Sequence, residues 1–406
     1  MVKVLSSFVR GPLEAYVPGF AEELLGQGYT RSSAAQHMCF IAHLDRWMSA
    51  EVLEVGDLSG PVIGDYLAGR RASGYVEYLS GKAMRPLLDY LGPLGVLPPE
   101  EPVDPGLVEG LLGRYGQYLL VESGLTAGTV RGYVDAVRPF VAGRQRGDVL
   151  DWAGLTGADV SEFVVMACPG RAVGTAKLIV CALRSVLGWL HLTGEIPAPL
   201  AGAVPAVAGW RLTGLPKGLT AGQLRALLAS CDRRTATGRR DYAVLLLLSR
   251  LGLRAGEVAA LRLEDIDWRA GQIQVRGKGN RIEGLPLPAD VGAAIAAYLR
   301  RGRPGTALDR AVFVRVHAPH RALSTGGITM IVFDNAARAG LGKVHAHRLR
   351  HTAATQMLQA GSPLAEVGQV LRHRSALTTA IYAKVDRDAL GVLARPWPVT
   401  AEGGAS

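Results

Sequence analysis

Through the first half of the chain, apolar residues recur at helical spacing and the runs end at Gly, Ser or Thr, which predicts a succession of amphipathic helices. Two Pro-rich stretches read as linkers: VLPPEEPVDP from Val96 to Pro105, and Ile196 to Pro216 with IPAPLAGAVPAVAG and TGLP. The segments they bound echo one another. GYTRSSAAQHMCFIAHLDRW from Gly28 answers GLTAGTVRGYVDAVRPF from Gly124, LSGPVIGDYL from Leu58 answers LTGADVSEFV from Leu155, and YLGPLGVLPP from Tyr90 answers WLHLTGEIPAP from Trp189. The offsets of 96, 97 and 99 residues drift slowly, as small loop insertions produce, and predict a duplicated unit of about four helices.

After residue 213 the pattern changes. Leu219 to Ser230 reads as a helix with Thr220 as N-cap, and Tyr242 to Arg250 as a long apolar helix buried in a core. Beyond LRLEDIDW, the alternation in GQIQVRGKGNRIEGLPL around a central GKGN predicts a β-hairpin. Helices then return. Gly361 reads as a helix stop, Ser362 as the next cap and Pro363 as a first-turn residue, and Ser375 as the cap of a last strong helix through Lys384. Leu390, Val392 and Leu393 form an apolar face in DRDALGVLARPW, and VTAEGGAS reads as a disordered end.

With 406 residues, 49% hydrophobic and 20% charged, the chain fits two or three globular domains. No stretch approaches the roughly 18 to 20 uninterrupted apolar residues of a membrane span, and the N-terminus lacks an apolar core with a small-residue cleavage site. An intracellular, cytoplasmic protein is expected. Cys39, Cys168, Cys181 and Cys231 are widely spaced among apolar neighbours, which predicts buried free thiols rather than zinc ligands or disulfides.

The net charge of +10 is unevenly distributed. Lys and Arg against Asp and Glu number 8 to 12 over residues 1–103, 9 to 9 over 104–213, and 28 to 14 over 214–406. The whole excess lies in the last segment. That is either a solvated basic surface or a face for a polyanion.

HAHRLRHTAATQML, from His345 to Leu358, gathers three histidines and two arginines at the start of a helix. His347 and Arg350 are three apart and share a face, with Leu349, Ala353 and Met357 left to pack elsewhere. His347 and His351 have the spacing of a metal pair. Against a metal, no acid or thiol stands nearby, and Arg348 and Arg350 would repel a cation. Guanidinium beside imidazole suits an oxyanion better, because it donates two parallel hydrogen bonds and stays charged. In LGLRAGEVAAL, Glu257 stands one turn after Arg254, either to orient it or to pair with it at the surface. Taken singly, Lys278 at the hairpin tip reads as solvated and Tyr382 as a packing residue.

Together, LGLRAGEVAALRLEDID, the GKGN hairpin, HRLRHTAATQML and LRHRSALTTAIYAKV resemble the tyrosine recombinase family, the phage-type integrases, over about residues 214 to 394. The resemblance implies a mainly α fold with a small β-sheet. Two helical, core-binding-like domains (1–103 and 104–213, the second the DNA-binding unit of the family) would precede a mixed α/β catalytic domain (214–394) and a tail (395–406). It implies a catalytic set of Arg254, Lys278, His347, Arg350, His373 and Tyr382. Tyr382 would attack a DNA phosphodiester to give a 3′-phosphotyrosyl link. Arg254 and Arg350 would hold the non-bridging oxygens, and Lys278 would protonate the leaving 5′-oxygen. His347 would assist the tyrosine's proton transfer and His373 would bond the phosphate.

No cofactor or metal is implied, because two guanidiniums supply the positive charge. The implied partners are double-stranded recombination sites, further copies of the chain up to a tetramer on two sites, and a related recombinase, since some members of this long layout lie beside others in transposon-like elements. Arg372 departs from the family's usual Gly, and either contacts phosphate or faces solvent. His345 and His351 fall outside the set, His351 as a support of the helix. The competing readings are a type IB topoisomerase and a DNA-binding protein without catalysis. An acidic first repeat is expected to contact protein rather than DNA.

Overall fold

The computed structural model describes residues 9–99, 104–208, 218–277 and 282–372. Their architecture is mainly helical with small sheets, as expected. Lys278, His373, Ser375, Tyr382, the Leu390 to Leu393 face and the C-terminal tail lie outside the described residues. The chain divides into two compact units, one formed by Met1–Pro99 with Gly214–Ser406, the other by Glu100–Thr213.

The first repeat folds as α1 (Val17–Gly26), α2 (Arg31–Ala50), α3 (Gly60–Ala72) and α4 (Gly81–Leu91). Thr30 starts α2 by accepting the Ser33 N–H, and Ala34, Met38, Ile41, Leu44 and Met48 then bury one face at three- and four-residue spacing. Asp45 lies on that face, 2% exposed. Its Oδ2 accepts from the backbone of Arg10 and Gly11 at 3.2 and 2.9 Å, and its Oδ1 from Leu13 at 2.9 Å, pinning the entering chain to α2. Asp45→Ala leaves those three donors without their acceptor and is expected to destabilise this bundle by about 3 kcal/mol. Urea unfolding checks the size, and faster hydrogen exchange at the three amides checks the cause.

The second repeat has the same four-helix plan: α5 (Gly106–Val121), α6 (Ala127–Ala142), α7 (Gly157–Ala167) and α8 (Val173–Leu192), with a short β1–β2 hairpin (Gln145–Arg146, Val149–Leu150) after α6. Thr126 caps α6 through the Thr129 N–H, as Thr30 caps α2, and Thr156 caps α7 where Ser59 begins α3. Helix α8 is long and apolar enough by composition to cross a membrane. Lys177 and Arg184 interrupt it, however, and Val180, Leu183, Val186, Leu187 and Leu190 are buried in the bundle core.

Two expectations are corrected here. The Pro-rich stretch after Ile196 is not a free linker throughout: Ile196 and Val204 are buried, Arg184 Nη2 donates to the Val204 carbonyl at 2.8 Å, and Ser161 Oγ to that of Ala203 at 3.2 Å. Of the four free thiols only Cys231 is buried; Cys39 and Cys181 are exposed and Cys168 lies between. Apolar neighbours misled because one step along a helix turns by about 100°. Cys39 and Cys181 therefore face outward between buried Met38 and Phe40, and Val180 and Ala182.

The third segment begins with α9 (Ala221–Ala229), for which Thr220 and Gln223 form a reciprocal cap, as expected. The long apolar helix α10 (Ala236–Arg250) starts earlier than predicted, at a Thr235 cap, and buries Ala243 to Leu248 at the centre of the core. The short α11 (Ala255–Ala259) leads to a three-stranded antiparallel sheet, β3 (Ile266–Asp267), β4 (Gln272–Arg276) and β5 (Ile282–Pro286). The hairpin is present: Ile273 pairs with Leu285 and Arg276 with Ile282, while Ile273, Val275 and Leu285 point inward. Arg276 grips Asp265 through both terminal guanidinium nitrogens, at 2.8 and 2.7 Å, which fixes the end of β4, two residues before Lys278.

Helices α12 (Ala289–Arg301), α13 (Thr325–Arg338), α14 (Ala346–Gln359) and α15 (Leu364–Val370) complete the segment. Gly361 ends α14 with φ at +89°, as expected, but Ser362 does not cap α15. Pro363 holds the N-cap position, its missing N–H costing nothing there. The first repeat meets this segment directly, through an Asp89–Arg321 ion pair at 3.0 Å and a close approach of Gly28 to His320.

Candidate active site

Arg254 stands at the N-cap of α11, directly after α10. Its backbone N–H donates to Glu257 Oε2 at 2.8 Å and its Nη1 to Glu257 Oε1 at 2.7 Å. The Arg254 side chain is 44% exposed while that of Glu257 is 5% exposed. Of the two sequence readings for Glu257, the structure supports the orienting one: a buried carboxylate holds one end of a guanidinium that opens to solvent.

Arg350 lies on α14 and is the largest fully buried side chain among the described residues, 2% exposed. Its Nη1 donates to the Gly252 carbonyl at 2.5 Å and its Nη2 to the Leu371 carbonyl. Gly252 has φ at +60°, and a Cβ there would stand 2.5 Å from Leu371 Cδ2. A residue without a side chain is thus required for the Gly252 carbonyl to reach Arg350. Thr352 secures the same helix by accepting the Leu219 N–H at 2.8 Å ahead of α9.

His347 occupies the first turn of α14, and its ring meets that of His351 edge to face with centroids 4.4 Å apart. Burial, then the positive charges of Arg350 and Arg254, push the His347 imidazole below its ordinary 6.5, so it is neutral at pH 7. His347 is therefore the residue at which both arginines are felt together. His351 is pushed down to about 4, by burial and then by His347 and Arg350. Among the described residues, no group of three His, Cys, Asp or Glu side chains comes together.

These depressed values have a definite sign. An unfolded chain binds protons at these histidines as pH falls through 6.5, whereas the folded chain resists until about pH 4 at His351. Their contribution to stability is complete above pH 6.5 and is lost between 6.5 and about 4. Melting temperature is expected to fall across that window, and His351→Gln to flatten the fall. A pH series of thermal melts on both proteins checks it.

Of the two sequence readings of Arg372, the solvent-facing one is corrected: its side chain is 5% exposed and its Nη2 donates to Glu257 Oε2 at 2.5 Å. Nothing in LRHRS signals this, because the contact joins residues 115 apart in the chain. The backbone acceptors at Gly252 and Leu371 were equally invisible, since a carbonyl has no signature in sequence. Of the six candidate residues, the structure brings Arg254, His347 and Arg350 together. Lys278, His373 and Tyr382 are outside the described residues.

Residues 217–388 match the phage integrase family. The chain is 40% identical over 403 residues, 98% of each chain, to y4rA of Sinorhizobium fredii, a protein named as an integrase/recombinase. It is 30% identical to the tyrosine recombinase XerD of Listeria monocytogenes over 68% of this chain and 94% of that one. Among solved structures, XerH bound to a palindromic difH substrate superposes with TM-score 0.56 over 84% of this chain and 97% of that one, at 18% identity. A lambda integrase dimer on a COC′ core site gives 0.52 over 72% and 98%, at 17% identity. The chain belongs to the phage integrase family: it is a tyrosine recombinase, an enzyme of site-specific DNA strand cleavage and rejoining.

Proposed function

We propose that the chain integrates or transposes a mobile element, cutting DNA through a 3′-phosphotyrosyl link to Tyr382 and rejoining it to a new 5′-hydroxyl. The observation that carries the reading is the geometry of the two guanidiniums: buried Glu257 holds Arg254 half open to solvent, and Arg350, three residues after His347, is fixed on the Gly252 carbonyl two residues before Arg254. That pair suits one phosphate, where charge builds in the pentavalent transition state. A neutral imidazole keeps its lone pair for the tyrosine proton at physiological pH. Lys278 is the general acid for the leaving 5′-oxygen, and His373 donates to the phosphate. The transferred bond stays in the tyrosyl ester, so rejoining needs no external energy source. Arg254 and Arg350 supply the positive charge, so cleavage proceeds in a chelator.

Residues 104–213 and the catalytic segment 214–394 clamp a double-stranded site, and four copies assemble on two sites in the cytoplasm, at the nucleoid. The acidic residues 1–103 serve assembly, with a neighbouring copy or a related recombinase, and gain little from phosphate counterions. The long duplicated layout supports the link to mobile elements.

The test uses a pool of nicked duplexes of random sequence in EDTA. Denaturing capture is expected to recover DNA joined to the protein by its 3′ end, and sequencing it reports the target. An adduct that forms only with Mg²⁺, or that joins a 5′ end, would overturn the mechanism.

A further inference from the structure

Arg372 is a costly residue for its place. Its backbone φ is +55°, the left-handed region that a side chain with a Cβ disfavours. Its guanidinium is buried, and buried charge needs a partner. The partner is Glu257, the same carboxylate that holds the Arg254 backbone and side chain. On its other side, Arg372 Nε stands 3.8 Å from Glu283 Oε2 on β5, the partner strand of β4. Among the described residues, neither Nε nor Nη1 has a hydrogen-bond acceptor. The adjacent Leu371 carbonyl accepts from Arg350. One turn of chain therefore touches the supports of both guanidiniums, and in sequence it leads straight to His373 and Tyr382.

We propose that Arg372 is a positioning residue of the cleavage site, which fixes the orientation of Arg254 through Glu257 while Leu371 beside it fixes Arg350. The proposal rests on the cleavage reading given above. Glu257 alone could swing with the Arg254 side chain; a second, buried guanidinium on Oε2 leaves Oε1 for Arg254 Nη1 and so fixes which way the Arg254 fork opens. The alternative of a phosphate contact runs against the two carboxylates beside the guanidinium, Glu257 on Nη2 and Glu283 facing Nε, which would repel a phosphate there.

Arg372→Gly is the informative substitution, because glycine favours the left-handed backbone while the guanidinium is removed. In single-turnover cleavage at saturating full-length protein, on the duplex captured best from the pool, adduct formation is expected to slow by roughly ten-fold or more. Affinity for the same duplex should move by less than about two-fold, since Arg372 touches no DNA. Arg372→Lys keeps the charge and is expected to recover part of the rate. Glu257→Gln should slow cleavage too, and the double variant should be no slower than the slower single one, because both cut one link.

Cleavage by Arg372→Gly at the wild-type rate overturns the inference. So does a parallel loss of rate and affinity, or a double variant in which the two losses multiply. Absence of an adduct from the wild-type protein instead overturns the cleavage reading, and this inference with it.

Discussion

Tyr382→Phe is expected to bind its duplex with unchanged affinity and to form no covalent adduct. The substitution deletes one oxygen and keeps the ring, so whatever the ring packs against is retained. What is lost is the only atom through which a 3′-phosphoryl group would be held. The arginines and histidine of the set do not substitute for it: arginine does not surrender its proton in proteins, and a neutral imidazole accepts protons without forming a stable phosphodiester. Removal of an enzyme's nucleophile typically costs on the order of 10⁴-fold or more, which takes adduct formation below detection. The check is denaturing electrophoresis after incubation in EDTA, beside a mobility-shift titration. A persisting adduct would mean another residue is the nucleophile, and loss of binding would mean the hydroxyl itself holds the DNA.

The parts of this chain that were legible in its sequence are those governed by local rules. Thr30, Thr126, Thr156 and Thr220 each cap a helix because a hydroxyl before an apolar run satisfies an otherwise unpaired amide, whatever the tertiary setting. The aligned stretches from Gly28 and Gly124 hold two of these caps, Thr30 and Thr126, 96 residues apart. The hairpin was legible from its two-residue alternation. What stayed hidden depends on which residues meet across the chain. Cys39 and Met38 look alike in sequence, yet one faces solvent and the other the core. Ser362 looked like a cap, but Pro363 occupies the position.

For the candidate site, the residue types were readable and their surroundings were not. Arg254 and Arg350 read as equivalent guanidiniums. In the fold, Arg254 is half open and steered by a carboxylate, whereas Arg350 is enclosed and held by two backbone carbonyls. That difference has a physical consequence. Pairing with Glu257 takes part of the Arg254 field in exchange for orientation, while the two carbonyls orient Arg350 without a net charge of their own.

Arg350→Ala is accordingly expected to cost both folding and chemistry. Truncation removes the guanidinium from the Gly252 and Leu371 carbonyls, at about 1 to 3 kcal/mol for each acceptor left buried without a donor. It also opens a cavity beneath α14, so a loss near 4 kcal/mol in urea unfolding is the expected total. Cleavage should fall by roughly 10³-fold, the scale of losing a principal donor to a developing oxyanion. Arg350→Lys separates the two effects. Its ammonium can still reach one carbonyl and preserves the charge, so much of the stability should return, but it has no planar fork to hold a carbonyl and a phosphate oxygen at once. Cleavage by the lysine variant is therefore expected to remain at least about 10²-fold down at unchanged DNA affinity. If lysine restored cleavage as fully as it restored stability, Arg350 would be serving the site by its charge and packing alone, and the two-oxygen grip would have to be assigned elsewhere.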